Sequence, residues 1–276
     1  MTSLNLKSTA LAALTFMAGA LGAWSTAVQA EEPVISAEWQ SIHKDFFGSR
    51  DIVDATDKIT LDTPIRAEDA AIVPITIKMP AEFASGVKKL TLVIDKNPSP
   101  IVGAFTYGAA AGKGDRMLST RVRVDQYSDV RAIAETDDGK LYMVSRFVKA
   151  SGGCSAPASK DLAEAMKEIG KMRIKTAIGK TKSGLSNEAQ VAIKHPNVSG
   201  LMMDQISRAY PPAHFITKVE VKTGGELVFA MEGGISISED PSLRFSYDGN
   251  PADVMEVKAE DSEGAHFASS AGSNQS

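Results

Sequence analysis

A second cysteine is the most informative absence in this 276-residue chain, because with Cys154 alone no disulfide can form within it. A lone cysteine in an exported protein points to an intermolecular bond or to a thiol in chemical use, against the alternative of a small buried hydrophobe. Strong charge of one sign is missing too, the formal net charge being −4. There is no basic stripe for nucleic acid and no polybasic segment for a membrane surface. The four histidines, His43, His195, His214 and His266, show no metal-ligand spacing, so no metal is assigned and His195 and His214 read as structural. Copper held by Cys154 with His and Met is conceivable on ligand softness, but the adjacent pair Met202-Met203 reads as core. No Gly-x-Ser-x-Gly elbow, phosphate loop or dinucleotide fingerprint occurs, so no catalytic residue and no cofactor is assigned.

One apolar run stands out, from Thr9 to Trp24, preceded by Lys7 and followed by Val28-Gln29-Ala30. Small residues at the cleavage positions and the polar Glu31-Glu32-Pro33 beyond them read as a secretory signal peptide over residues 1–30. The expected product starts near Glu31, in a bacterial periplasm, with no membrane anchor. It is long enough for two domains of roughly 100–150 residues each.

Ser36 caps a short expected helix in which Trp39, Ile42 and Phe46 share a face and Gly48 ends the run. Short β-rich runs follow at Ile72–Lys78, Leu90–Ile94, Arg121–Val124, Val130–Glu135 and Leu141–Val148, with Asp138-Gly139 as a hairpin turn between the last two. Residues 150–158 contain only Ala, Ser, Gly and Pro besides Cys154 and read as a linker. Pro157–Ile169 reads as a helix with Leu162, Ala165, Met166 and Ile169 on one stripe, stopped by Gly170. A second β-rich set follows at Ala189–Lys194, Ile216–Val221, Glu226–Glu232, Leu243–Tyr247 and Val254–Glu260, with Thr223-Gly224-Gly225 as a turn. Residues 267–276 read as a frayed tail. The expected fold is all-β: two immunoglobulin-like antiparallel sandwiches, residues 31–150 and 159–266, joined by the arm 151–158.

Glycine pairs give flexibility and allow close approach to another surface. Gly152 and Gly153 are therefore expected to hinge an exposed Cys154 that enters a partner's active-site channel.

The residues Phe147-Val148-Lys149-Ala150-Ser151-Gly152-Gly153-Cys154 resemble the end of the SoxY family, a thiol carrier of periplasmic thiosulfate oxidation. Val191-Ala-Ile-Lys-His195-Pro196, Pro212-Ala-His-Phe-Ile216, Ile235-Ser-Ile-Ser-Glu-Asp-Pro241 and Asp261-Ser-Glu-Gly264 resemble its partner family SoxZ. The chain is thus similar to fused SoxYZ-like carriers, including those encoded with quinoprotein dehydrogenases. The resemblance implies a non-enzymatic carrier that holds sulfur intermediates as covalent adducts of Cys154. It implies periplasmic redox and sulfur-processing partners, such as c-type cytochromes or a quinoprotein dehydrogenase, and leaves a disulfide dimer open. The other reading is an accessory, assembly or metal-delivery protein for a PQQ-dependent alcohol dehydrogenase. Two departures stand out: Ser155-Ala156-Pro157 replaces a Gly-Gly chain end, which tethers the arm on both sides, and Asn197 stands where SoxZ carries Met.

Overall fold

The computed structural model describes residues 36–157, 161–181, 184–204, 208–250 and 252–272. The signal peptide expected at 1–30, the arm position 158, and the tail beyond 272 lie outside the described residues. No helix among the described residues is long and apolar enough to cross a membrane.

The helix α1 (Ala37–Ile42) starts as expected, with the Ser36 hydroxyl accepting the Trp39 N–H at 3.1 Å. It then widens into a π-helical turn over His43–Phe47. The extra residue per turn rotates the apolar face, so Phe47 is buried beside Trp39 and Ile42 while Phe46 is exposed. Phe46 therefore does not belong to the face expected from 3.6-residue spacing. The buried three cover Val93, Ile133 and Leu141. Trp39 also stacks under Arg131, whose guanidinium forks onto Asp95 at 2.7 and 2.8 Å.

The strands form two sheets. Chain order gives β1 (Ile52–Asp54), β2 (Thr60–Asp62), β3 (Val73–Met79), β4 (Val87–Ile94), β5 (Ile101–Tyr107), β6 (Arg116–Val122), β7 (Ser128–Thr136) and β8 (Leu141–Val148) in the first half. The second half supplies β9 (Met172–Thr181), β10 (Gly184–Ile193), β11 (Ile216–Thr223), β12 (Glu226–Gly233), β13 (Ser242–Tyr247), β14 (Met255–Asp261) and β15 (His266–Ala271). The larger sheet runs β1-β8-β7-β4-β5-β12-β11-β14-β15, the smaller β2-β3-β6-β13-β10-β9. Pairing is antiparallel except between β1 and β8.

Each half thus contributes strands to both layers, and the halves meet edge to edge. β5 pairs with β12 from Phe229↔Tyr107 to Gly233↔Gly103, and β6 with β13 through Arg244↔Ser119 and Phe245↔Leu118. Phe229 packs edge to face on Phe105 of the paired strand β5 and on Phe245 of the facing sheet, with centroids 5.7 and 4.9 Å apart. One hydrophobic cluster runs through both halves.

The strand β5 is not among those expected, and two expectations need correction. β5 reads as Ile-Val-Gly-Ala-Phe-Thr-Tyr, buried on both faces at its centre, so it lacks the alternation that marks a half-exposed strand. The tail expected to fray from Phe267 is instead β15, held by six backbone pairs to β14. Ladder hydrogen bonds hold it, and a run of Ala and Ser gives no hydrophobic period to reveal it. The helix expected over Pro157–Ile169 is the short α2 (Leu162–Lys167), capped by the Asp161 carboxylate, which accepts the Glu164 N–H. None of its side chains is buried, so the stripe Leu162, Ala165, Met166 is not a core face.

Candidate functional site

Beyond the end of β6 the chain continues extended as Arg123-Val124-Asp125. The Arg123 N–H donates to the Ser236 carbonyl and the Val124 N–H to the Ala70 carbonyl. The residues after β8 return alongside it. The Gly152 N–H donates to the Asp125 carbonyl at 2.7 Å, and the Gly153 N–H to that of Val124 at 3.0 Å. Ser155 closes a turn onto the Gly152 carbonyl with both its N–H and its hydroxyl. Cys154 sits inside this turn.

The thiol is not displayed. Cys154 is 0 % exposed, which corrects the expectation of an exposed cysteine on a mobile arm. The glycines serve close approach rather than hinge motion. A Cβ on Gly153 would lie 2.1 Å from the Ala70 carbonyl oxygen and 2.7 Å from the Val124 nitrogen, so only glycine lets these backbones meet. Gly152, at φ +79°, supplies the left-handed step that starts the turn. In this conformation no sulfur surface is available for a disulfide to a second chain.

Both halves hold the turn shut. From the first, Asp125 accepts the Cys154 N–H at 3.3 Å and Arg123 Nη1 donates to the Gly153 carbonyl at 3.2 Å. From the second, the Ser199 hydroxyl donates to the Cys154 carbonyl at 2.5 Å. Burial, with the Asp125 carboxylate adding to it, pushes the thiol up to about 12 against a smaller downward pull from Arg123. The site as it stands therefore holds a protonated, shielded sulfur. Among the described residues no imidazole is hydrogen-bonded to it.

Asn197 joins the two halves behind the turn. It occupies the left-handed region at φ 43°, which Asn tolerates better than most residues. Its side chain donates to the Ser238 carbonyl and accepts the Ile216 N–H, and its carbonyl accepts Arg123 Nη2 at 3.3 Å. A methionine could make none of these side-chain bonds, which accounts physically for the departure noted at this position.

His195, His214 and Asp261 come together next to Asn197, their ligand-type atoms within 4.8 Å of one another. Sequence spacing hides this group because the three lie on separate segments. His214 Nε2 donates to Asp261 Oδ2 at 2.8 Å, while Asp261 Oδ1 accepts the Glu263 and Ala265 N–H groups. His195 Nδ1 accepts the Asn197 N–H at 3.0 Å, which fixes its proton on Nε2, 3.6 Å from Asp261 Oδ2. A metal at Nε2 would have to displace that proton onto a nitrogen already facing a donor. Asp261 is thus held by the His214 imidazole and two backbone N–H groups, while the buried His195 Nε2 stands beside it with no hydrogen-bond partner among the described residues. The other two histidines stay apart: His43 Nε2 bonds the Arg50 carbonyl and His266 is exposed on β15.

Burial, reinforced by His214, pulls the His195 ring down to about 4 despite Asp261. Burial raises Asp261, but the His214 and backbone hydrogen bonds outweigh it and leave this carboxyl below its usual range. The folded protein refuses a proton that an unfolded histidine takes up near pH 6.5. Stability is therefore complete above about pH 6.5 and falls toward pH 4, by about 3 kcal/mol for this group. Urea unfolding at about pH 7.5 and 4.5 should show the loss, and His195→Gln should flatten it. An unchanged slope in that variant would assign the loss elsewhere.

Sequence reading found Cys154, Gly152 and Gly153 but missed Arg123, Asp125, Ser199 and Asp261. The alternation Arg121-Val-Arg-Val-Asp125 was the one available signal, and it reads equally well as an ordinary strand with a solvated face.

An all-β, immunoglobulin-like protein of two laterally joined halves, with its single thiol closed into a turn that both halves hold, is the class that fold and site define. Residues 43–154 match the family Sulfur oxidation protein SoxY, and residues 174–272 the family Sulphur oxidation protein SoxZ. The chain belongs to the fused SoxYZ-like carriers. Among solved structures it is similar to the sulfur carrier protein SoxY from Chlorobium limicola f thiosulfatophilum, at 26 % identity over 41 % of this chain and 91 % of that one, with a TM-score of 0.34. It is also similar to Dpr2 Ig1-Ig2 in complex with DIP-Theta Ig1-Ig3, at 11 % identity over 78 % of this chain and 97 % of that one (TM-score 0.23). A third is the CupB2 chaperone of Pseudomonas aeruginosa, at 11 % identity over 82 % and 97 % (TM-score 0.18). Among curated proteins none matches.

Proposed function

We propose that this chain is a periplasmic thiol carrier that holds sulfur-compound intermediates covalently on Cys154 and presents them to partner enzymes. The observation that carries the reading is the placement of the one thiol. It lies in a short turn held by hydrogen bonds from the SoxY half at Asp125 and Arg123 and from the SoxZ half at Ser199. These bonds go to main-chain atoms of the turn, so they fix where the thiol is held between the two halves. The closed turn is the resting state, and loading requires residues 152–155 to leave the surface. The partner enzymes supply the oxidation and the hydrolysis.

Mass spectrometry of the protein taken from its native compartment tests this. Sulfur-sized adducts on Cys154, absent from Cys154→Ser, are expected. An unmodified thiol under several growth substrates, together with full function of Cys154→Ser in cells, would overturn the reading. Copper retained stoichiometrically and lost in Cys154→Ser would point instead to metal delivery.

A further inference from the structure

The ring of His195 has no exposed surface, and its two nitrogens are settled differently. Nδ1 accepts the Asn197 N–H at 3.0 Å, whereas Nε2 carries the proton and has no hydrogen-bond partner among the described residues. The groups around the ring pull both ways. The Asp261 carboxylate stands 3.6 Å from Nε2, Asp240 Oδ1 accepts the His195 main-chain N–H at 3.2 Å, and Glu263 lies 3.8 Å from Nδ1 of His214. Against them stand the His214 ring, edge-on with centroids 4.7 Å apart, and, further off, Arg123 on the Asn197 carbonyl. An imidazolium has two donors and no acceptor. Turning the ring cannot help, so a second proton on His195 sets an N–H against the Asn197 N–H, and that contact is lost.

That contact sits directly behind the cysteine turn. The Asn197 carbonyl accepts Arg123 Nη2, and the same guanidinium donates through Nη1 to the Gly153 carbonyl. Ser199, two residues further on, donates its hydroxyl to the Cys154 carbonyl. We propose that His195 is an acid-sensing catch for the Cys154 turn: a proton taken up on its ring displaces the segment His195–Ser199, slackens both latches and lets residues 152–155 leave the surface. The inference goes beyond the carrier reading and stands whatever the thiol holds. Burial, with His214 adding to it, keeps the ring at about 4 in the closed form, while in the open form it returns toward ~6.5. Closure is therefore fully supported above about pH 6.5 and weakens as the pH falls toward 4. At full coupling the opening equilibrium grows roughly fiftyfold between about pH 7 and about pH 4.5.

The test follows the thiol with 2,2′-dithiodipyridine, which reacts in acid as well as at neutral pH. The Cys154 sulfur attacks the pyridyl disulfide, a mixed disulfide forms, and 2-thiopyridone leaves with the electron pair and the thiol proton. Dividing the folded rate by that of the same chain in strong urea at the same pH removes reagent protonation and thiol ionisation and leaves the opening equilibrium. This quotient should rise about ten- to fiftyfold from about pH 7 to about pH 4.5, with far-ultraviolet circular dichroism unchanged. It should barely respond to dilute urea, because local opening exposes little surface. In His195→Asn, whose amide oxygen can accept the Asn197 N–H without titrating, the rise should stay within about threefold. His195→Gln is the second variant should the first not fold. Carboxylates such as Asp125 and Asp240 remain in both variants, so any part they play appears there too. A wild-type rise under about threefold would overturn the inference, and so would an equal rise in a folded His195 variant. A quotient at about pH 4.5 that climbs with urea at the slope of global unfolding would overturn it as well. Native adducts on Cys154 bear on the carrier reading alone, so the two claims fail separately.

Discussion

Cys154 in the folded protein should react with iodoacetamide at about pH 8 some thousandfold more slowly than in the unfolded chain. An ordinary thiol near pKa ~8.5 is partly ionised at that pH, whereas one held at about 12 has roughly one thiolate in ten thousand. Desolvation is the leading cause, and the Asp125 carboxylate adds to it. Steric closure slows the reaction further, because the sulfur has no exposed surface. Gly153→Ala is the informative variant. Its methyl group would meet backbone atoms of Ala70 and Val124, none of which is a flexible side-chain end that could move aside. The turn must then shift outward, and Cys154 should approach the unfolded rate while circular dichroism remains that of a folded β protein. Ser199→Ala removes one hydroxyl latch on the Cys154 carbonyl and should accelerate the reaction by a smaller factor, about fivefold for a hydrogen bond of about 1 kcal/mol. A wild-type rate within tenfold of the unfolded chain would mean that the closed turn is not the resting state in solution.

The second large effect concerns the seam between the halves. Phe229→Ala should cost about 3–5 kcal/mol and should unfold both halves together. Phe229 is fully buried on β12, touching Phe105 of β5 across the seam and Phe245 of β13 in the facing sheet. Its removal opens a cavity shared by the two halves. In a chain lacking residues 1–30, Trp39 is the single tryptophan, and it lies on the buried face of α1 in the first half. Its fluorescence should report the same lowered denaturation midpoint as far-ultraviolet circular dichroism. A Trp39 transition left at the wild-type midpoint would show that the halves unfold independently despite their shared sheets.

Lateral joining also bears on the site. The turn is latched by Arg123 and Asp125 on one side and by Ser199 on the other, so its closure needs both halves in register. The pairing of β6 with β13 and the bridge Val122↔Ile237 set that register. Arg123 and Asn197 then sit where one guanidinium can reach carbonyls of both segments.

The sequence by itself determined the β-rich architecture, because alternating strands and glycine turns are local features. Leu141–Val148 has the expected bounds, and the turns at Gly139 and at Gly224-Gly225 fall where left-handed conformations are needed. It also singled out Cys154, since a single cysteine needs no fold to be noticed. Only the tertiary structure decided how that cysteine is kept. A Gly-Gly pair is compatible with either a mobile arm or a close backbone crossing, and the difference lies in Ala70 and Val124, far away in sequence. The same holds for β5, for the cluster of His195, His214 and Asp261, and for Arg123. Each depends on which distant backbone or charge stands opposite, and local pattern does not encode that partner.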